Sequence, residues 1–283
     1  MFERLSNGFE LARSSWQVLR EDKKLIVFPI ISGLGCLLVL ASFAVPLAVF
    51  TRWNEFMDNQ NNFRPPVWMY VVAFAFYFCN YFVIVFCNAA LISCALLRFN
   101  GESCTLTDGF QAAASRLPQI LAWALVSATV GVVLKVIENA NEKVGEFVSA
   151  ILGTAWTIMT YFVVPVLVVE KLGPFAAVGR SIEILKKTWG ESLVGGFGIG
   201  LFSFVLFLPG LALGFVAVMM MSVSVPVGVA LLILALVYFL IWGAVTAALK
   251  GVFLSALYQY AANHEVPDGF DRDIIEHAFQ SRA

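Results

Sequence analysis

The residues best suited to chemistry lie in the C-terminal tail, which holds both histidines of the chain. Asp273 and His277 are four residues apart, so on a helix they would share one face and could bind one metal ion together. Solvated charge on a surface helix explains the same pattern more simply, and no HExxH motif, GxSxG motif or Cys–His pair accompanies it. We therefore expect no cofactor, no metal site and no enzymatic activity.

The glycine-rich run at residues 195–200 is a second candidate, because glycine loops can cradle phosphate groups. The run lacks the GxGxxG order, and no Lys-Ser or Lys-Thr pair follows it. Gly196 and Gly200 instead form a small-xxx-small pair, which in a membrane lets a neighbouring helix approach closely. The run therefore predicts helix packing.

The five cysteines offer thiol chemistry, and they are Cys36, Cys79, Cys87, Cys94 and Cys104. An odd count without a CxxC pair argues against a disulfide framework and against a zinc site. Cys79, Cys87 and Cys94 recur at near-heptad intervals on one helix, so they share a face and cannot bridge one another along it. We interpret the cysteines as small residues at a packing seam.

The elements that must position these residues are membrane spans. Hydrophobic residues make up 60% of the chain and charged residues 13%, whereas about a quarter of the residues are charged in soluble domains. Residues 192–249 contain no Asp, Glu, Lys, Arg or His, and one helix of that length would be nearly three bilayer cores long. The predicted fold is all-α, a polytopic transmembrane helical bundle that forms one domain. Its six spans lie at about 25–50, 66–97, 118–134, 147–169, 193–220 and 226–249.

The last two spans must be joined inside the uncharged stretch, either at Pro209-Gly210 or at residues 222–226. A turn at 222–226 leaves spans of about 28 and 23 residues, whereas a turn at Pro209 would leave one helix of nearly 40. We therefore predict the turn at 222–226 and a helix kink at Pro209.

The distribution of Lys and Arg predicts the orientation of the spans. One side of a six-span bundle collects 14 of these residues and the other side collects 4, which places both termini and the segment 251–283 in the cytoplasm. Residues 1–24 show no small-x-small cleavage site, so we expect Met1 to begin the mature chain. The net charge of -1 gives no reason to expect a nucleic acid as a partner.

Two cytoplasmic segments combine an apolar stripe with cations, namely residues 6–24 and 170–191. We interpret each as an amphipathic helix in the membrane interface, although an ordinary soluble helix would show a similar pattern for residues 6–24. The cations expected to meet anionic lipid headgroups are Arg13, Arg20, Lys23, Lys24, Arg180, Lys186 and Lys187. A short amphipathic helix is also predicted at 271–280.

An [Asn/Asp]-Gly-Phe tripeptide occurs at residues 7–9, 108–110 and 268–270, and Gly-Pro-Phe occurs at 173–175. Each copy precedes a cytoplasmic amphipathic run, where Asn or Asp would cap, Gly would allow a close approach and Phe would anchor in the interface. Either the tripeptide recurs by chance, or the chain repeats a unit of one interfacial helix and one transmembrane hairpin three times.

Two carboxamides, Asn80 and Asn88, stand on roughly one face of the predicted second span. A carboxamide that faces lipid has no partner, so both should point into the bundle. They could serve there as packing contacts or as contacts to a solute.

A family resemblance rests on residues that flank the last hairpin. Arg180-Ser181 and Trp189-Gly190-Glu191 precede the fifth span, and Ala-Leu-Tyr-Gln-Tyr-Ala at 256–261 and Val-Pro-Asp-Gly-Phe at 266–270 follow the sixth. With these residues the chain resembles a bacterial family of six-span membrane proteins of unknown function. More loosely, the alternation of interfacial helices with span pairs is similar to the membrane-anchoring domains of glycerophosphodiester phosphodiesterases, without the phosphodiesterase domain. The resemblance implies a bacterial inner-membrane protein and supplies no activity.

These observations together predict a non-enzymatic inner-membrane protein that engages membrane lipids, another membrane protein or a second copy of itself. The alternative is a transporter or channel for a neutral or amphiphilic solute past Asn80 and Asn88. Ion-coupled transport usually needs ionisable groups inside the membrane, and the six predicted spans contain no acidic, basic or histidine side chain.

Overall fold

A computed structural model describes residues 13–50, 67–140, 144–263 and Pro267. Those residues form helices and short turns, and no strand occurs among them. The all-α prediction is therefore confirmed.

The helices follow the chain in a simple order. They are α1 (13–21), α2 (Val27–Phe50), α3 (Val67–Phe99), α4 (Leu106–Ala114), α5 (Leu117–Ala140), α6 (Val144–Met159), α7 (Val163–Val169), α8 (Pro174–Met221) and α9 (Val225–Asn263). A 3-10 turn, Lys23–Ile26, connects α1 to α2. Over the described part of the chain, six helical stretches are long and apolar enough to cross a bilayer, and they correspond to the six predicted spans.

The fourth predicted span is interrupted. Helix α6 ends at Met159, a turn occupies residues 160–162, and α7 begins at Val163. Pro165 contributes to this break because it has no N–H and its ring clashes with the carbonyl group four residues earlier. The fourth predicted span, 147–169, therefore consists of two helices.

Helix α8 corrects a second prediction. The polar segment 170–191 does not form a separate interfacial helix, since α8 runs through 48 residues and enters the fifth span without a break. Between Pro174 and Pro209 the chain has no other proline to stop the helix. The chain turns between Met221 and Val225, so the predicted position of the last turn is confirmed. Pro209 lies inside α8, and the kink expected there stays a prediction.

The chain divides into two compact units. The first contains the described residues 13–30, 88–112 and those from 183 onward, and the second contains 31–87 and 113–182. In the second unit α5 packs along α6. Trp123 and Trp156 stack between them with ring centroids 5.6 Å apart, and the Ser149 hydroxyl donates to the Leu134 carbonyl at 3.1 Å.

Burial in the first unit changes along the length of α9. The part from Ala248 to Ala261 is almost entirely buried, and Phe253 and Leu257 pack there in the same core as Leu91 of α3 and Leu25. The part from Val225 to Ile241 instead exposes its large apolar side chains, among them Leu236 at 62%. An exposed apolar surface of this extent is expected to face lipid.

Polar side chains join the lipid-exposed parts of α8 and α9. Tyr238, Trp242 and Thr246 repeat every four residues on α9, and they meet Leu206 and Ser203 of α8. The Tyr238 hydroxyl donates to the Leu206 carbonyl, the Trp242 indole N–H donates to the Ser203 carbonyl at 2.9 Å, and the Thr246 and Ser203 hydroxyl groups share a hydrogen bond of 2.9 Å. These donors and acceptors satisfy one another where water is absent.

Glycines allow close helix approaches at some positions and not at others. A Cβ at Gly200 would meet no atom within 4 Å, so the close approach expected there is not made within the described chain. A Cβ at Gly35 would lie 2.8 Å from Val83. Gly251 of α9 lies directly against Leu91 of α3, where an added Cβ would collide with the leucine side chain.

We predict that Gly251→Val destabilises the protein, because a valine side chain cannot fit against Leu91, which is 1% exposed. Overpacking of this kind costs about 1–3 kcal/mol. Gly243→Val is the matched control, since it changes the same helix at a position where a Cβ meets no atom within 4 Å. Thermal unfolding in detergent measures both variants, and equal midpoints would contradict the packing described here.

Candidate functional site

Four of the predicted headgroup contacts lie together near the start of the chain, and we name Arg13, Arg20, Lys23 and Lys24 the basic cluster. All four side chains are exposed. Arg13 and Arg20 are two helical turns apart on α1, so they share one face of that helix. Lys23 and Lys24 follow in the 3-10 turn.

The opposite face of α1 packs into the core of the first unit. Ser15, Val18 and Leu19 of this face are each at most 3% exposed. Trp16 packs its ring against Phe202 of α8, with ring centroids 5.7 Å apart. Helix α1 is therefore fixed by its apolar side while its cations point outward.

Two acidic residues beside the cluster make contacts with other groups of the protein. Glu21 forms an ion pair with Arg98 of α3, with 3.0 Å between Oε2 and the guanidinium nitrogen. Asp22 accepts a hydrogen bond from the Lys24 backbone N–H at 3.2 Å and so caps the 3-10 turn. The four cations and Arg98, set against Glu21 and Asp22, leave a net charge of +3.

The cluster lies where the lipid-exposed surface of α2 begins. The 3-10 turn packs against α9, and Leu25 and Phe28 are each 1% exposed. From Ile30 onward α2 exposes its apolar side chains, and Leu38 reaches 72%. Lys23 and Lys24 therefore lie at the N-terminal end of the exposed apolar part of the first span.

Lys250 is a further cation that sequence reasoning did not assign to the site. It is exposed on α9, the helix that contacts the 3-10 turn. Its signal was present in the sequence, because Lys250 is the first charged residue after the 58 residues without one. Like Lys23 and Lys24, it marks the end of a hydrophobic span.

The three other predicted headgroup contacts lie on α8, and they behave differently. Arg180 belongs to the second unit, where its Nε lies 3.0 Å from the Glu170 carboxylate. Its charge is thus balanced by a partner on the same unit. Lys186 is exposed, and the Lys187 side chain lies outside the described structure.

Ser181, the neighbour of Arg180, has a structural contact. Its hydroxyl accepts a hydrogen bond of 3.0 Å from the Phe162 backbone N–H, which the break in the fourth span leaves without a helical acceptor. Both residues are 0% exposed. Nearby, Arg116 donates from Nε to the Val168 carbonyl at the end of α7, at 3.1 Å. The Arg-Ser pair that carries the family resemblance therefore supports the interrupted span.

The two intramembrane carboxamides are half-buried on α3. Asn80 donates to the Phe76 carbonyl of its own helix at 2.9 Å. Within the described residues the Asn88 side chain makes no hydrogen bond. A role for either amide in contacting a solute stays a prediction.

The Asp-Gly-Phe copy at 108–110 differs from the predicted capping arrangement. Thr105 is the residue before α4, and its hydroxyl accepts from the Asp108 N–H at 3.2 Å while the Asp108 carboxylate accepts from the Thr105 N–H at 2.9 Å. This is a reciprocal capping box. The hydrogen bonds from the Thr105 hydroxyl and backbone N–H lower the pKa of the Asp108 carboxyl below its ordinary value.

Gly109 and Phe110 make interior contacts. A Cβ at Gly109 would lie 2.7 Å from the Phe28 ring, which confirms that glycine permits a close approach here. Phe110 packs edge-on against Phe28 at 5.1 Å, and its role as an interfacial anchor stays a prediction. The tripeptides at 7–9 and 268–270 lie outside the described residues, and the proposed repeat is untested there.

The structure also corrects the interpretation of the cysteines. Cys94 and Cys104 form a disulfide bond, with 5.4 Å between their Cα atoms. The sequence argument considered only spacing along one helix, whereas the chain reverses after Phe99 with Gly101 at φ 78°. That left-handed residue returns Cys104 to the side of α3.

No metal site can be assigned to the predicted tail pair. Asp273, His264 and His277 lie outside the described residues. Among the residues that are described, no group of three or more His, Cys, Asp or Glu side chains is close enough to hold a metal ion.

The helices define the class to which the chain belongs, a multi-pass membrane protein, since six helical stretches in its described ranges are able to span a bilayer. Within that class, the chain belongs to the family of unknown function DUF6159, whose sequence profile matches residues 67–268. No curated protein and no solved structure matches the chain. The looser likeness to the anchoring domains of glycerophosphodiester phosphodiesterases therefore gains no support.

We predict that Ser181→Ala destabilises the protein by about 1–3 kcal/mol, because the buried Phe162 N–H loses its acceptor. Ser255→Ala is the matched control. Ser255 is also 0% exposed, but its hydroxyl donates to the Gly251 carbonyl of its own helix, so its loss leaves no N–H unpaired. Thermal unfolding in detergent compares the two variants. An equal loss of stability would show that the hydrogen bond to the Phe162 N–H contributes no more to stability than the hydrogen bond that Ser255 makes within its own helix.

Proposed function

We propose that the protein is a non-enzymatic inner-membrane protein that binds anionic phospholipid headgroups through the basic cluster, on the cytoplasmic side. The observation that supports this proposal most directly is the position of Lys23 and Lys24. Both are exposed at the start of the first span, beside an apolar surface suited to acyl chains. The phosphate group of a bound lipid would contact the lysines, and its acyl chains would contact the exposed apolar side chains of α2.

Charge and packing give the cluster its expected selectivity. Each Lys or Arg near an anionic membrane surface contributes about 1 kcal/mol. The local net charge of +3 is available for this interaction because Glu21 is paired with Arg98. The buried side of α1 fixes the backbone that carries its two arginines, so only their side chains lose conformational entropy when a headgroup binds.

The cytoplasmic orientation and the inner membrane are part of the proposal. They are supported by the excess of Lys and Arg on one side of the six spans. Arg180 contributes less than the sequence suggested, because Glu170 balances its charge.

A transport pathway has weaker support. The interrupted fourth span would be a natural place for a solute site, but Phe162 and Val163 are 0% exposed and the freed N–H already has Ser181 as its acceptor. Asn80 uses its amide on its own helix. These contacts favour a structural role for the polar groups.

We predict that Lys23→Gln combined with Lys24→Gln weakens the binding of phosphatidylglycerol relative to phosphatidylcholine by about 30-fold, since two cations near the surface are lost. Full-length protein is reconstituted in nanodiscs that contain equal amounts of both lipids. Native mass spectrometry then counts the lipids of each class that remain bound.

The control for this experiment is Arg52→Gln combined with Arg64→Gln, which removes the same charge from the loop predicted on the opposite side. This pair should leave the retention of phosphatidylglycerol unchanged. The proposal fails if the unaltered protein retains both lipids equally, or if the two double variants lose phosphatidylglycerol to the same extent.

A further inference from the structure

The bond between Cys94 and Cys104 closes a ring that joins the end of α3 to the loop before α4, across a sequence separation of 10. Cys94 is 2% exposed and Cys104 is 3% exposed. Cys36, Cys79 and Cys87 are free. The ring lies entirely in the first unit.

The residues inside the ring fasten two other elements of that unit. Arg98 pairs with Glu21 of α1 at 3.0 Å, and Asn100 accepts a hydrogen bond of 3.3 Å from the Gln259 side chain of α9. The ring therefore contacts both α1, which carries Arg13 and Arg20, and the buried end of α9.

The contact with Gln259 depends strongly on the path of the ring. Gln259 is 5% exposed, and its Oε1 has no hydrogen-bond partner among the described residues. The hydrogen bond to Asn100 therefore satisfies a side chain that is otherwise poorly satisfied, and its loss would leave a buried amide unpaired. Any change that loosens the ring should loosen the end of α9 as well.

The expected compartment makes this bond unusual. The positive-inside distribution places the loop after α3 in the cytoplasm, where protein disulfides are rare and are mostly transient or redox-sensing. A permanent structural bond is not expected at that location.

We propose that Cys94 and Cys104 form a reversible thiol–disulfide switch that sets how firmly the ring holds α1 and α9. In the disulfide state Arg98 and Asn100 are held against Glu21 and Gln259. In the dithiol state the loop opens more often and both contacts weaken. This proposal does not require lipid binding by the basic cluster.

The oxidation step balances with a small disulfide such as oxidised glutathione as the electron acceptor. One cysteine thiolate attacks a sulfur of the small disulfide, forms a mixed disulfide and releases one small thiolate. The second cysteine then attacks the sulfur of the first, which closes the Cys94–Cys104 bond and releases the second small thiolate. Each cysteine gives up one proton, the small disulfide gains two electrons, and two small thiols leave. An excess of a dithiol reductant reverses the reaction.

The test uses full-length protein in nanodiscs, treated either with dithiothreitol or with oxidised glutathione. Alkylation of the denatured protein should label five cysteines after reduction and three after oxidation. Amide hydrogen exchange at residues 99–105 should be about tenfold faster in the reduced state, because the ring no longer restricts local opening. Exchange at the end of α1 and at the end of α9 should increase with it.

Two variants separate a switch from general damage. Cys94→Ser combined with Cys104→Ser should match the reduced protein under both treatments, and Cys87→Ser, which changes a buried free cysteine, should respond as the unaltered protein does. If the double variant does not fold, the labelling and the hydrogen exchange of the unaltered protein in its reduced and oxidised states still test the proposal. Five labelled cysteines after oxidation, three after reduction of the native protein, or equal exchange in both states would each overturn the proposal.

Discussion

The hydrocarbon of a bilayer offers no hydrogen bonds, so each backbone group that a regular helix does not pair needs a partner from the protein. The two irregular spans of this chain show how that requirement is met. In the fourth span, Ser181 accepts the N–H of Phe162, and Arg116 donates to the carbonyl at the end of α7. In the fifth span, which stays helical through Pro209, Tyr238 and Trp242 of α9 donate to the carbonyls of Leu206 and Ser203. The break in the fourth span is stable because a polar side chain from another helix accepts the N–H that the break leaves free.

The first unit combines two environments along the same helices. Helix α9 has 39 residues, which corresponds to roughly 58 Å at about 1.5 Å per residue, well beyond the thickness of a hydrocarbon core of roughly 30 Å. Its first part exposes apolar side chains, and its last part is buried, with contacts to the 3-10 turn and to Leu91 of α3. Lys250 separates the two parts. The basic cluster occupies the same boundary, so the position of the cations follows from how the helices divide between lipid and protein.

Much of this architecture could be predicted from the sequence, because span length, lack of charge and turn-forming residues are local properties. The six spans, the turn before Val225 and the helical position of Pro209 are examples. Features that depend on partners distant in the chain were missed. The break before Val163 needs Ser181 to accept the free N–H of Phe162, and the bond between Cys94 and Cys104 needs a chain reversal at Gly101. The continuity of α8 was missed for a different reason, because the polar composition of 170–191 was given more weight than the absence of a residue that stops the helix. At the site, the exposure of the basic cluster could be predicted from the alternation of cations with apolar residues along the sequence. The ion pair between Arg180 and Glu170 required the structure.

The composition of the first unit also constrains how the protein is made. Its core joins residues near the N-terminus, such as Leu19 and Phe28, to residues such as Phe253 near the other end, and the contact between Asn100 and Gln259 bridges 159 positions of sequence. A ribosome delivers the N-terminal portion first, so these early apolar side chains must wait until the last span has been inserted. During that interval they lack their native contacts and are open to non-native association.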